Sequence, residues 1–144
     1  IDLMEDALRI ARQNAHFHRV TERISWLCGD LFSPLKRGLK VDAILSNPPY
    51  IPTKEIPSLP PEVRKEPRVS LDGGDAGLVY YKRMAEEAPS FLKEGGFLFF
   101  EIGNGQKEPV TDIFLKKQIH LVEIRKDISE TPRVLIFRKG RHDG

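Results

Sequence analysis

Apolar residues recur along this chain in two rhythms, one helical and one extended, and the two alternate. Leu3, Leu8, Ile10, Ala11 and Ala15 fall near helical spacing and predict a helix from Met4 to about Ala15. Ile24, Trp26 and Cys28 fall at every second position, which predicts a strand from Arg23 to Cys28, ended by Gly29-Asp30. Val41 to Ser46 is almost unbroken in apolar residues, the pattern of a strand covered on both faces of a parallel sheet. Leu78, Tyr81, Met84, Ala85 and Ala88 line one side of a helix predicted from Ala76 to Leu92. Gly95-Gly96 then turns the chain into a buried strand, Phe97 to Ile102. After Gly103-Asn104-Gly105 a helix runs through Val110, Ile113 and Phe114, with Pro109 tolerated in its first turn, where an N–H has no helical partner to lose. Two strand-like runs, His120 to Lys126 and Arg133 to Arg138, complete the pattern. Strands and helices in alternation, then two strands in succession, predict an α/β fold: a mainly parallel sheet with one antiparallel strand at one end.

One stretch stands outside this alternation. Seven of the chain's 11 prolines lie from Pro48 to Pro67, and a long connection runs from about Ile51 to Asp72. A connection of that length in a compact domain is more often a functional lid than filler. Composition changes the picture little. The 144 residues suit one domain, and 40% apolar content is enough for a core. No run approaches the ~20 apolar residues of a membrane span and no charged-then-apolar leader opens the chain, so a cytoplasmic protein without a membrane partner is expected.

The net charge of +2 is scattered, and the most basic stretch, Arg138-Lys139-Gly140-Arg141-His142, reads as a solvated tail rather than a nucleic-acid face. Cys28, the single cysteine, has no disulfide partner and no CxxC spacing for zinc, and is predicted to line the core near a strand end. His16, His18, His120 and His142 show no metal-binding spacing, so no metal is expected.

The candidate chemistry lies at Asn47-Pro48-Pro49-Tyr50, directly after the Val41–Ser46 run. Consecutive prolines hold φ near −65° and bias the residues before them away from the helical region, which makes a stiff extended corner. A corner at the carboxyl end of a buried strand is where an open α/β sheet keeps its ligand. Asn47 offers an amide oxygen, Pro48 a carbonyl oxygen and Tyr50 a flat ring. Two acceptors and a ring suit a planar N–H₂ group, whose hydrogens they take and whose face they cover. The plainer alternative is a strand-to-loop turn with a packed tyrosine.

At this point the chain resembles a known family, the protein-(glutamine-N5) methyltransferases that modify peptide release factors. The resemblance rests on Asp2-Leu3, Ala7-Leu8, Ala11 and Asn14-Ala15; on Gly29-Asp30-Leu31-Phe32; and on Ser46 to Ile51. It continues in Glu66-Pro67, Leu71 to Leu78, Glu101-Ile102-Gly103 with Gln106, and Asp127 with Arg133. The Asn-Pro-Pro-Tyr motif is shared with adenine-N6 and other amine methyltransferases, whereas the Glu-Pro and Asp-Gly-Gly-Asp-x-Gly-Leu segments point to the release-factor branch. Members begin their catalytic domain with a strand and a glycine-rich loop that this sequence does not contain. The resemblance therefore implies residues 1–144 as a C-terminal portion of a Rossmann-like S-adenosylmethionine-dependent methyltransferase domain, truncated and weak or inactive alone. Loss of a central strand would leave edges prone to self-association.

The resemblance also implies roles. Asn47, Pro48 and Tyr50 would be catalytic, and with Pro49 they would bind the substrate amide. Asp2 would accept from the ribose hydroxyls of S-adenosylmethionine, Leu3 would pack on the adenine, Asp30 and the Leu31 backbone would meet the adenine edge, and Asn47 would complete the cofactor site. Asp2 could equally cap the helix that follows, and Asp30 could be a turn aspartate. Glu101 reads as a structural partner for nearby backbone or for Arg133. The acceptor would be a release-factor glutamine, with residues 51–72 as a substrate loop. An adenine or guanine amino group of DNA or RNA is the rival acceptor, disfavoured by near-neutral charge and by Glu55, Glu62 and Glu66. A non-catalytic fragment is the third reading.

Overall fold

The helical rhythm at the front of the chain becomes α1, Glu5–Phe17, with Leu8 and Ala15 buried and Glu5 and Asp6 in the first turn, where acids complement the helix dipole. This is a computed structural model, and it describes residues 1–140. Arg141 and His142 of the basic tail lie outside the described residues. The chain divides into two units, Ile1–Leu39 and the chain from Lys40 onward.

In the first unit the expected strand from Arg23 to Cys28 does not form. Thr21–Arg23 is a turn of 3-10 helix, and Ile24 is extended with φ −127° and ψ 129°. Its ladder, however, consists of one isolated parallel bridge, Asp2 with Cys28. Alternation makes a strand only when a neighbour pairs along it, and here the bonds are Asp2 N–H to the Leu27 carbonyl (3.2 Å) and Gly29 N–H to the Asp2 carbonyl (2.9 Å). Cys28 is exposed rather than lining the core, its thiol 3.6 Å from the Leu3 carbonyl.

The second unit holds the sheet. Its strands are β1 (Val41–Ser46), β2 (Leu92–Glu101), β3 (Ile119–Lys126) and β4 (Pro132–Lys139), in the spatial order β1-β2-β4-β3. β1 and β2 are parallel, while β4 runs against both β2 and β3. Three strands thus share one direction, and the reversed strand lies inside the sheet rather than at its end. The reason is connectivity: β3 leaves a vacant lane beside β2, and the hairpin returns through that lane.

Three helices join these strands: α2 (Arg68–Leu71), α3 (Val79–Phe91) and α4 (Lys107–Leu115). Tyr81 of α3 and Phe114 of α4 both meet Phe100 of β2, with ring centroids 5.9 and 4.8 Å apart, and Phe114 lies 5.0 Å from Phe137 of β4. One sheet face is therefore the core, with Leu98, Phe100, Leu135 and Phe137 fully buried. Each such side chain contributes about 1.5–3 kcal/mol by leaving water. On the opposite face Phe97 and Leu45 remain 36% and 74% exposed. Among the described residues β1 pairs with β2 alone, with Asp42, Ala43 and Leu45 exposed, so there it is not covered on both faces as its apolar run predicts. Among the described residues no helix is long and apolar enough to cross a membrane.

The proline-rich connection is ordered. Thr53–Ser58 and Val63–Lys65 form short 3-10 helices ahead of α2, and its ends meet at an Ile51–Asp72 bridge. Helix α3 begins at Val79 rather than Ala76, because Gly74 and Gly77 take left-handed turns with φ of 84° and 69°.

Candidate active site

Asn47–Tyr50 leave the carboxyl end of β1 with every peptide trans, and Asn47 exposed, Pro48 buried, Pro49 and Tyr50 half-buried. Two other segments, residues 71–77 and Gln106, fix this corner. Ile51 N–H donates to the Leu71 carbonyl (3.0 Å) and Gly73 N–H to the Ile51 carbonyl (2.8 Å). Gln106 Nε2 donates to the Tyr50 carbonyl (2.9 Å). Gly73 and Gly77 let the next turn press against the corner. A Cβ on Gly73 would sit 2.8 Å from the Pro49 oxygen and the Tyr50 Cα, and one on Gly77 would sit 2.2 Å from the Tyr50 oxygen. No side chain fits at either place.

The Tyr50 hydroxyl donates to Glu101 Oε1 at 3.3 Å, and the Tyr81 hydroxyl donates to the Glu101 main-chain oxygen at 2.8 Å. Burial, and then the Glu101 charge and hydrogen bond, push the Tyr50 hydroxyl above its ordinary range. Burial, with Tyr50 and Glu101 nearby, pushes Tyr81 up as well. Both phenols therefore stay protonated at neutral pH, so each can orient a neighbour and neither can act as a base. Glu101 pairs with Tyr50 and not with Arg133, whose Nε donates instead to Asp127 Oδ2 at 2.9 Å. Among the described residues the Asn47 side chain makes no hydrogen bond and the Pro48 carbonyl accepts none. Two adjacent oxygens are thus left unengaged where a ligand's N–H₂ would need acceptors.

Asp2, Leu3, Asp30 and Leu31 come together in the first unit, because the Asp2–Cys28 bridge sets the two segments side by side. Asp2 Oδ1 accepts from Met4 N–H at 2.8 Å, so it does cap the start of α1. Its second oxygen carries no bond among the described residues. Leu3 is 50% exposed, and Leu31 holds φ of 49°. A leucine in the left-handed region costs about 1–2 kcal/mol, the kind of strain retained where a backbone group must face a given way. Asn47–Tyr50 belong to the second unit.

Two parts of this site escape a reading of the sequence. The glycines at 73 and 77 are legible as turns but not as a cradle. Gln106 is the buried polar side chain of the described core, yet its spacing from Gly103 carries no sign that it reaches Tyr50.

No family model matches the chain. Among curated proteins it is 41% identical over 138 residues to the release factor glutamine methyltransferase of Aquifex aeolicus, covering 96% of this chain and 48% of that protein. It is 46% identical over 112 residues to the protein of the same name from Moorella thermoacetica, covering 78% of this chain and 39% of that one. The chain spans about half the length of the curated relatives it matches. Among solved structures it superposes on a methyltransferase from Pyrococcus furiosus with a TM-score of 0.65 and 20% identity, over 96% of this chain and 60% of that one, a likeness of fold. The observed sheet is accordingly of the Rossmann-like kind found in that structure, and over nearly its whole length the chain is similar to about half the length of the curated release factor glutamine methyltransferases.

Proposed function

We propose that residues 1–144 form part of the catalytic domain of an S-adenosylmethionine-dependent N-methyltransferase acting on the side-chain amide of a release-factor glutamine. The observation that carries this reading is the pair of unengaged oxygens, on Asn47 and Pro48, on a corner that its neighbours hold rigid. A carboxamide nitrogen is a poor nucleophile because its lone pair is shared with the carbonyl. By accepting both N–H bonds, Asn47 and Pro48 aim the remaining electron density and favour the positive charge that grows on nitrogen in the transition state. Tyr50 covers the amide plane, and its hydroxyl on Glu101 keeps the ring in place. No strong base is needed, since the methylated nitrogen releases its proton to water after transfer.

S-adenosylmethionine would supply a methyl group on a sulfonium, with a neutral thioether as leaving group. The first unit fits such a group. Asp2 retains a free carboxylate oxygen for ribose hydroxyls, Leu3 offers an apolar surface for adenine, and Asp30 and Leu31 stand beside them. Residues 51–72 act as the substrate-facing segment. Glu55, Glu62 and Glu66 are exposed there among Lys54, Arg64, Lys65 and Arg68, so that face lacks the basic excess that phosphate binding demands. The unpaired edge of β1 is the place for self-association, which light scattering reads directly as a mass above one chain.

The test is transfer of labelled methyl, using the chain itself and a fusion completed with the portion of the Aquifex aeolicus relative that the match leaves out. Label is expected on release factor and not on release factor lacking the acceptor glutamine or on an adenine-bearing oligonucleotide. Asn47→Ala should lower the rate by ~10²–10³-fold, the scale for removing one transition-state hydrogen-bonding group, and should weaken S-adenosylmethionine binding by much less. An unchanged rate, or label on the oligonucleotide, would overturn the assignment.

A further inference from the structure

Gln106 lies one residue before α4 and is 7% exposed. Its side-chain oxygen accepts from Gly103 N–H at 2.9 Å. Its nitrogen donates to the Tyr50 carbonyl at 2.9 Å and to the Gly77 carbonyl at 3.2 Å. Both N–H groups and the oxygen are thus engaged by main chain. The three partners come from three places: the corner after β1, the turn before α3 and the loop after β2. Its own backbone is also tied, its N–H to the Gly103 carbonyl (3.3 Å) and its carbonyl to Val110 N–H (3.0 Å).

Only a planar amide offers two donors and an acceptor in this arrangement. Glutamate lacks the donors, and leucine lacks all three. The position of the Tyr50 carbonyl matters beyond Tyr50 itself. Pro48 and Pro49 have fixed φ, so anchoring the peptide after them settles where Asn47 and the Pro48 carbonyl stand.

We infer that Gln106 is a positioning residue for methyl transfer, holding the Asn47–Tyr50 corner in register with the acceptor amide through the Tyr50 carbonyl. This rests on the proposed function and deepens it. Gln106 touches neither substrate nor cofactor. Its effect is to keep the two acceptor oxygens from drifting, and a misplacement of about 1 Å at a reacting centre costs ~10²-fold in rate.

Two variants test this, read by methyl-transfer kinetics in the fusion and by amide spectra and hydrogen exchange in the 144-residue chain. Gln106→Leu should lower kcat by ~10²-fold with the S-adenosylmethionine Kd within about twofold, and should speed exchange at Ile51 and Gly73. Gln106→Glu gives a readout that a merely structural role would not move. The ionised carboxylate faces two carbonyl oxygens and repels them, whereas the neutral acid donates one O–H and still accepts from Gly103. Burial among oxygens raises its pKa, so native-like spectra and kcat should return as pH falls, with no such rise in the parent.

Gln106→Leu with parental kcat and parental exchange would overturn the inference, as would Gln106→Glu without acid recovery. If Gln106→Leu does not fold, the acid recovery of Gln106→Glu decides. If the parent fusion fails to methylate glutamine, the proposed function falls, and exchange at Ile51 and Gly73 still reports whether Gln106 holds the corner.

Discussion

Around Tyr50 the main chain is held from a distance. Leu71 and Gly73 of one segment bond the next residue, Ile51, Gln106 of another bonds the Tyr50 carbonyl, and two glycines allow backbone to press against backbone. Around Asp2 the ties are fewer and weaker. They are a single bridge to Cys28, a thiol 3.6 Å from the Leu3 carbonyl, and a carboxylate that serves the start of its own helix. The difference follows from what each region would hold. A group that must be aimed at a reacting atom needs its position set by the fold before any ligand arrives. A carboxylate that grips hydroxyls can adjust to them, because charge-assisted hydrogen bonds tolerate some movement.

The sharpest way to break the comparison is to fill the cradle. Gly77→Ala forces a Cβ to 2.2 Å from the Tyr50 oxygen at a residue with φ of 69°. Left-handed strain and overpacking together should cost about 3–4 kcal/mol, read as a drop in the urea midpoint. Gly105 and Gly38 are the controls: φ is 74° and 84°, with nothing within 4 Å of an added Cβ. Alanine at either should cost only about 1 kcal/mol, the backbone part alone. Equal losses at Gly77 and Gly105 would mean that the corner is not tightly held.

The first unit is probed by separating the two jobs of Asp2. Asp2→Asn keeps an oxygen for Met4 N–H but removes the charge. Melting should hardly move, while S-adenosylmethionine binding should weaken by about 1.5–3 kcal/mol, roughly 10–150-fold in Kd, the worth of a hydrogen bond to a charged group. Asp2→Ala should show the same loss of binding plus about 1 kcal/mol of helix stability. Calorimetry with an unchanged Kd for Asp2→Asn would leave Asp2 as a cap alone.

How much of this was legible beforehand divides along the same line. Helices α1, α3 and α4 and the β3–β4 hairpin follow from apolar spacing, because in each the buried residues recur on one face, Leu8 and Ala15 in α1 and Tyr81, Met84, Ala85 and Ala88 in α3. The failures share a cause in pairing. The Arg23–Cys28 run alternates well but lacks a neighbour, and β1 is apolar on both sides yet has one partner strand. Periodicity records what a segment could bury, not what arrives to bury it. The corner at Asn47 was legible because proline acts locally. Its bracing was not, since Gln106 and Gly77 meet Tyr50 only through the crossing of three connections.

A smaller effect separates charge from shape in the bracing of the corner. Glu101→Gln leaves an acceptor for the Tyr50 hydroxyl but weakens a bond already long at 3.3 Å. A loss of about 0.5–1 kcal/mol in melting experiments is expected, with the Tyr50 ring retained. A loss as large as that of Gly77→Ala would shift the main brace from the backbone to this carboxylate.

The neck of the 51–72 segment carries the most condition-dependent brace. Asp72 accepts from the Thr53 hydroxyl (2.6 Å), Gly74 N–H (3.0 Å) and Arg68 Nε (3.0 Å). The Thr53 bond first, then the Gly74 N–H and Arg68, hold its carboxyl below the usual range. A lowered folded pKa means that the unfolded chain takes up the proton more readily. The stabilisation is therefore complete above the ordinary aspartate value of ~3.9 and is lost as pH falls through the lower folded value. Arg68 is largely exposed, so its ion pair adds little, and the hydroxyl and main-chain bonds dominate. The melting difference between the parent and Asp72→Asn should be steady from pH 7 to pH 5 and shrink below about pH 4. The same difference at pH 3 as at pH 7 would show that the neck is closed by shape and that the carboxylate's charge is incidental to it.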